Sequence, residues 1–243
     1  MRTTPGAGKV ICRPDFVAAL CLLGMVVFGT ASCGKKAAPA QEARTVSKAS
    51  APEKSPDGWV KMEQLKPGRW QAIEGTSNAG WDDKTGILRI GAGELDLTGV
   101  RWTGPLPVVP YEVELQARRM SGSDFFCGLT FPVRSGKEHV SFIVGGWGGS
   151  VVGISSIEGL DASENSTGSQ MDFENRRWYR IRVKVEQEHL QAWIDDRQVV
   201  DAYTADQKLT LRAGPIDGCL PFGLATWQTS AEWKDIRWRE PGK

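Results

Sequence analysis

The chain predicts an all-β fold, a jelly-roll sandwich of two antiparallel sheets. Two segments carry most of that prediction. Tyr111, Val113, Leu115 and Ala117 alternate with Glu112, Glu114, Gln116 and Arg118, and Tyr179, Ile181, Val183 and Val185 alternate with Arg180, Arg182 and Lys184. A period of two puts one set on a buried sheet face and the other in solvent. The third observation is that no long apolar segment repeats every 3.6 residues after Asp57. Composition agrees: 10 Trp and 28 Gly in 243 residues suit many short strands joined by tight turns.

The elements follow in order, from a domain start near Trp59. Gly68 to Ile73 is a short strand. Asp82-Asp83-Lys84-Thr85-Gly86 is a turn, because Asp bonds its own backbone and Gly accepts unusual angles. Ile87 to Ile90 leaves it as a strand. Val108 to Arg118 holds the first alternating set. Phe125 to Val133 is more apolar, as expected of a central strand. Val140 to Val144 and Val151 to Ser155 flank Gly145-Gly146-Trp147-Gly148-Gly149. Trp178 to Val185 holds the second alternating set. Leu190 to Ile194 and Gln198 to Ala202 flank Asp195-Asp196-Arg197 as a hairpin. Leu220 to Thr226 and Ala231 to Arg239 close the fold. A one-residue slip would turn each apolar set outward, so Tyr179, Ile181 and Val183 are expected on the buried side and Arg180, Arg182 and Lys184 opposite.

The N-terminus is of another kind. Arg2, Lys9 and Arg13 precede an apolar run from Phe16 to Phe28, and Thr30-Ala31-Ser32-Cys33 follows. That order marks a secretory signal, residues 1–32. The run would span about 20 Å as a helix, short of the roughly 30 Å of a bilayer core. A cysteine directly after Ala31-Ser32 resembles a bacterial lipobox, with Thr30 where Leu is usual. Cys33 is then the lipidated first residue of a lipoprotein, which places the protein in the cell envelope, outside the cytoplasm and anchored in a membrane. An ordinary signal peptide cut near Ala31 is the alternative. Residues 33–57 are rich in Ala, Pro, Ser, Lys and Glu and have no aromatic residue, which predicts a disordered tether. Residues 58–240 make the folded domain.

Charge and cysteines set further bounds. The first 32 residues hold a net +2, so the rest of a +1 chain is about −1, with no electrostatic footprint for nucleic acid. Once the signal leaves and Cys33 is acylated, Cys127 and Cys219 remain. They are either a disulfide, which export permits, or two buried thiols. His139 and His189 lack zinc-site spacing, and neither a nucleophile elbow nor a phosphate loop is present.

The strand series carries a resemblance. Tyr111-Glu112-Val113-Glu114-Leu115 followed by Ser121-Gly122-Ser123-Asp124-Phe125-Phe126-Cys127-Gly128-Leu129 resembles the early core of the 3-keto-disaccharide hydrolase family. Trp178 to Val183, Gln191 to Asp196 and Val199-Val200-Asp201 are similar to its hairpin. Phe222-Gly223-Leu224 and Trp233 to Arg237 are similar to its closing strands. The likeness covers roughly Trp59 to Glu240. It implies a concanavalin A-like jelly roll, akin to family 16 glycoside hydrolases, and a carbohydrate partner. The activity it implies is cleavage of a glycosidic or 3-keto-glycosidic bond. The chain departs from the family's pattern at two places. Val140-Ser141-Phe142-Ile143-Val144 stands where Glu-x-Gln is common, and Ala225-Thr226-Trp227 where an Asp-His pair is frequent.

Candidate site residues are few. Trp147, isolated among four glycines, offers a flat apolar platform for a sugar ring, or else folds back over the sheet edge. Trp227 is a second platform or a core residue. Asp161, Glu164 and Asn165 lie in the polar loop from Gly159 to Gln170. Two such carboxylates can act as acid and base or hold a calcium ion, and a solvated loop is the plainer alternative. Asp124 assists them from the sandwich rim, or caps a turn. As an enzyme, the domain would use Asp124, Asp161 and Glu164 as catalytic groups, with Trp147, Asn165 and Trp227 holding the sugar. A Trp-lined groove without a carboxylate pair would instead mark a non-catalytic glycan-binding module. A filled sandwich with no groove would mark a structural envelope lipoprotein.

Overall fold

The computed structural model describes residues 54–62, 70–93 and 95–241. The export signal, Cys33 and most of the tether lie outside the described residues. Residues 54–57, assigned above to the tether, form a turn: Lys54 bridges to Val60, and the Ser55 N–H donates to the Trp59 carbonyl at 2.9 Å.

Among the described residues the strands form two sheets. The eight-stranded sheet runs β13 (Arg197–Tyr203), β12 (His189–Ile194), β11 (Tyr179–Val185), β6 (Tyr111–Ser121), β15 (Ser230–Arg239), β4 (Ile87–Ile90) and β3 (Ala79–Asp82), with β1 (Val60–Lys61) also pairing with β15. The seven-stranded sheet runs β10 (Ser169–Gln170), β9 (Val151–Ser155), β8 (Glu138–Gly146), β7 (Cys127–Val133), β14 (Gly223–Trp227), β5 (Leu97–Trp102) and β2 (Trp70–Ala72). All the pairings are antiparallel. The all-β two-sheet expectation holds.

The alternation holds as well. Tyr179, Ile181 and Val183 are buried opposite Ala117, Leu115 and Val113, while Arg180 is exposed and Arg182 and Lys184 are half-exposed. β6 starts at Tyr111 rather than Val108, because Pro110 has no N–H to give the ladder. Two strands carried no readable period. β5 is buried on both faces, so Leu97, Thr98, Gly99 and Val100 show no polar alternation. β3 is four residues long and includes Gly80 and Asp82.

The core lies between the sheets. Phe126, Phe173 and Tyr179 meet there with ring centroids 5.1–5.9 Å apart, and the Trp233 indole donates to the Phe126 carbonyl at 3.0 Å. Cys127 belongs to this core, whereas Cys219 lies in a smaller cluster on the outer side of the seven-stranded sheet. Both are free thiols. Burial pushes the Cys219 thiol up to about 12 and that of Cys127 higher, which leaves neither reactive.

The smaller cluster shows how the outer face of the seven-stranded sheet is covered. A 3₁₀ turn at Pro215–Cys219 lies over β5, where a Cβ added to Gly99 would meet the Cys219 sulfur at 3.1 Å. The loop after β9 folds back over its own strand: the Ala162 N–H donates to Ser155 Oγ at 2.9 Å, and a Cβ on Gly153 would meet Ala162 at 3.2 Å. β8, β7 and β14, between them, are left as the floor of a cleft.

Candidate functional site

The cleft has a volume of about 400 Å³. Ser141 and Ile143 of β8 and Phe125 before β7 form its floor, with Leu97 beside them. Ser141 faces outward and shares a buried hydroxyl contact with Thr130 at 2.8 Å. The segment Arg212 to Ile216, which leads into the 3₁₀ turn, makes one wall. Trp147 and Trp227 line it as well, the first from the β8–β9 turn and the second from the end of β14.

The turn that presents Trp147 is unusual in backbone. Gly145, Trp147, Gly148 and Gly149 all have positive φ, with Trp147 at 49° and Gly149 at 110°. A side chain at Gly149 would also meet the Ser123 carbonyl at 2.9 Å and Arg119 Nη1 at 3.1 Å. Glycine is therefore required there by angle and by space. The indole is 39% exposed, unusually open for so large an apolar side chain. Trp227 is half-buried, packed against the outer-face cluster.

The sequence-derived candidates divide in space. Asp124, Trp147 and Trp227 come together in the cleft. Asp161 does not line it; its carboxylate pairs at 2.9 Å with Arg212, which does. Glu164 is exposed and bends back toward the Asp161 N–H at 3.4 Å. Asn165 is occupied within its own loop. Its amide donates to the carbonyls of Ile154 at 2.7 Å and Leu160 at 3.0 Å, and its oxygen accepts from the Thr167 N–H at 2.9 Å. The loop after β9 is thus held together by the residues that made it look like a site.

Asp124 is also tightly held. One carboxylate oxygen accepts from its own Phe125 N–H at 2.7 Å and the other from the Gly148 N–H at 3.0 Å. Among the described residues, the ionisable side chains lining the cleft are Asp124 and Arg212. No three His, Cys, Asp or Glu side chains gather into a metal-holding group among the described residues. The wall from Arg212 to Ile216 was not read from the sequence. Gly214-Pro215 signals a chain break there, but that the break folds over β14 and β5 is a tertiary fact.

A two-sheet sandwich with an aromatic cleft on one outer face is the class of domain these features define. A family model described as the 3-keto-alpha-glucoside-1,2-lyase-like domain matches residues 107–239, and the chain belongs to that family. That is a family of carbohydrate-active domains. A search of curated proteins finds no match. Among solved structures, apo Crh5 transglycosylase superposes with a TM-score of 0.51 at 9% identity, covering 81% of this chain and 90% of that one. The carbohydrate-binding module CBM66 from Bacillus subtilis gives 0.48 at 14% identity, covering 71% and 96%. Domain 4 of AbnA, an extracellular arabinanase from Geobacillus stearothermophilus solved with arabinotriose, gives 0.47 at 11%, covering 76% and 91%. At 9% identity the likeness to the transglycosylase is one of fold alone.

Proposed function

We propose that this domain binds a short or chain-end carbohydrate in the cleft, with Trp147 and Trp227 as its stacking surfaces. The observation that carries the reading is a pair of cleft-lining indoles without a stacked partner. Among the described residues neither has a cation or another ring against its face, whereas Trp59, Trp178 and Trp193 each have an Arg or Lys stacked at 4.2–4.7 Å. Pyranose rings have apolar C–H faces that stack on such surfaces, while edge hydroxyls bond to polar groups. Arg212 is the donor placed for them. The 3₁₀ turn over β5 and the loop over β9 obstruct a polymer laid across the strands, which favours a short sugar or a chain end.

The family match supports a second reading, cleavage of a glycosidic or 3-keto-glycosidic bond. Hydrolysis by an acid/base pair uses two carboxyls about 5–9.5 Å apart around one sugar. Asp124 lines the cleft, but Asp161, paired with Arg212, and Glu164 do not, so a hydrolytic pair is not assembled there and the geometry favours binding. Calorimetry and product analysis with a panel of glucosides and 3-keto-glucosides separate the two. Binding without product is expected; turnover would establish the enzyme, and a folded domain binding no member would leave the structural-lipoprotein reading.

The same proposal places the domain in the cell envelope. Export by residues 1–32 and lipidation at Cys33 would hold it at a membrane surface. Cys33→Ala should release the domain from membrane fractions with its thermal unfolding unchanged; a variant that still sediments with membranes would contradict the anchor.

A further inference from the structure

The segment before β7 links the two indoles. The Asp124 carboxylate accepts the Gly148 N–H at 3.0 Å, next to Trp147 in the chain. One residue on, the Phe125 carbonyl accepts the backbone N–H of Trp227 at 3.1 Å. The Asp124 carboxylate also accepts the Phe125 N–H, which locks the dipeptide itself. The Asp124 N–H donates to Thr229 Oγ1 at 3.2 Å, tying the same residue to the chain just beyond Trp227. The turn makes backbone bonds of its own from Gly149 and Ser150 to the Gly146 carbonyl. Gly148 relies on Asp124.

We infer that Asp124 is a positioning residue which fixes Trp147 at its distance from Trp227, and that it does not supply an acid or base to a sugar. The inference rests on the carbohydrate-binding reading and specifies how that site is assembled. A carboxylate whose two oxygens each hold a backbone N–H has its charge drawn into two peptide dipoles, so it serves structure at the cleft rim. The chemistry also explains the residue type. Asn in its place presents one acceptor and one donor, so it satisfies one of the two N–H groups and opposes the other. Trp147, with φ of 49° between glycines, has little else to keep its indole in one orientation.

The test is a double-mutant cycle on glycan affinity, with Asp124→Asn and Trp147→Ala singly and together. Asp124→Asn should weaken binding at least about fivefold, and the double variant should bind no more than about twofold worse than Trp147→Ala alone. Additive losses would mean that Asp124 touches the sugar itself and would overturn the inference. A second readout needs no ligand. Asp124→Asn should raise acrylamide quenching of the emission lost in Trp147→Phe in a domain that still unfolds cooperatively; unaltered quenching would overturn the inference as well. If Asp124→Asn does not fold, Asp124→Ser serves, since its shorter hydroxyl can reach Phe125 but not Gly148. If no panel glycan binds the wild type but Asp124→Asn still loosens Trp147, the carbohydrate reading fails and the positioning role stands.

Discussion

Cations cover the indoles on the outer face of the eight-stranded sheet and leave them bare on that of the seven-stranded sheet. On the first face Arg239 pairs with Glu112 at 2.9 Å, Arg237 with Glu114 at 2.6 Å, and Arg89 with Glu232 at 2.8 Å. Arg118 and Lys234 lie over Trp178, Arg182 over Trp193, and Arg237 and Arg239 over Trp59. These long side chains have partners across the strands, which is how an exposed sheet face is kept solvated and unfit for pairing. At the centre of the second face the outward positions are small or apolar: Gly128, Thr130, Ser141, Ile143 and Ala225. Short side chains there leave a cavity, and the segments folded over β9 and β5 turn that cavity into a cleft. An aromatic count alone would not separate these faces; what separates them is whether the ring already has a partner.

The comparison can be broken at its walls first. Gly99 has no space for a side chain, since a Cβ would meet the Leu224 carbonyl at 2.9 Å and Cys219 at 3.1 Å. Gly99→Val should therefore destabilise the domain by about 3 kcal/mol in chemical denaturation. A shift below about 0.5 kcal/mol would show that the 3₁₀ turn does not press on β5. The bare indoles come next. Trp147→Ala and Trp227→Ala should each weaken glycan binding by about 1–3 kcal/mol, by analogy with aromatic–base stacking. Neither should change stability as the wall variant does, because neither indole belongs to the main core.

The charged face responds to pH instead. Burial raises the Glu232 carboxyl, but hydrogen bonds from Arg118 and Arg89 outweigh it and hold the group below the ordinary carboxylate range. The Arg89 contact, with the Thr85 and Lys84 groups, holds Asp82 at about 2. Carboxyls with lowered folded values stabilise the fold above their unfolded values and lose that contribution as pH falls through the folded ones. Stability should decline from about pH 4.5 downward. Glu232→Gln should cost about 1.5 kcal/mol at neutral pH and flatten that decline, as seen in urea melts from pH 6 to pH 3. An unchanged slope would remove Glu232 from the ladder's balance. The smallest effect belongs to Glu164→Gln. The residue is exposed and outside the cleft, so binding and stability should each change by less than about 0.5 kcal/mol.

The strands with one solvated face were legible because alternation survives in them: Tyr111 to Arg118 and Tyr179 to Val185 sit as their periods require. β5 was not, because the 3₁₀ turn buries its second face and removes the polar half of the signal. At the site, Trp147 stood out through its glycines, and those glycines do expose it. Asp161, Glu164 and Asn165 stood out through polarity, yet a loop without ladder bonds must satisfy its own backbone, and Asn165 does so here. Asp124 sits in the cleft with both oxygens on backbone N–H groups. The bond to Phe125 is of the turn-capping kind the sequence allows, whereas the bond to Gly148, 24 residues away, leaves no mark in local sequence. Leu97 and the wall from Arg212 to Ile216 reach the cleft only through the sheet order.

Whether ligands select the bare indoles is most directly tested by the indole N–H resonances of the ¹⁵N-labelled domain, assigned by single Trp→Phe variants and titrated with a short glycan that binds. The account predicts that the Trp147 and Trp227 resonances move together and saturate at one affinity, while those of Trp59, Trp178 and Trp193 stay fixed. Movement at Trp59, Trp178 or Trp193, with Trp147 and Trp227 unmoved, would contradict it.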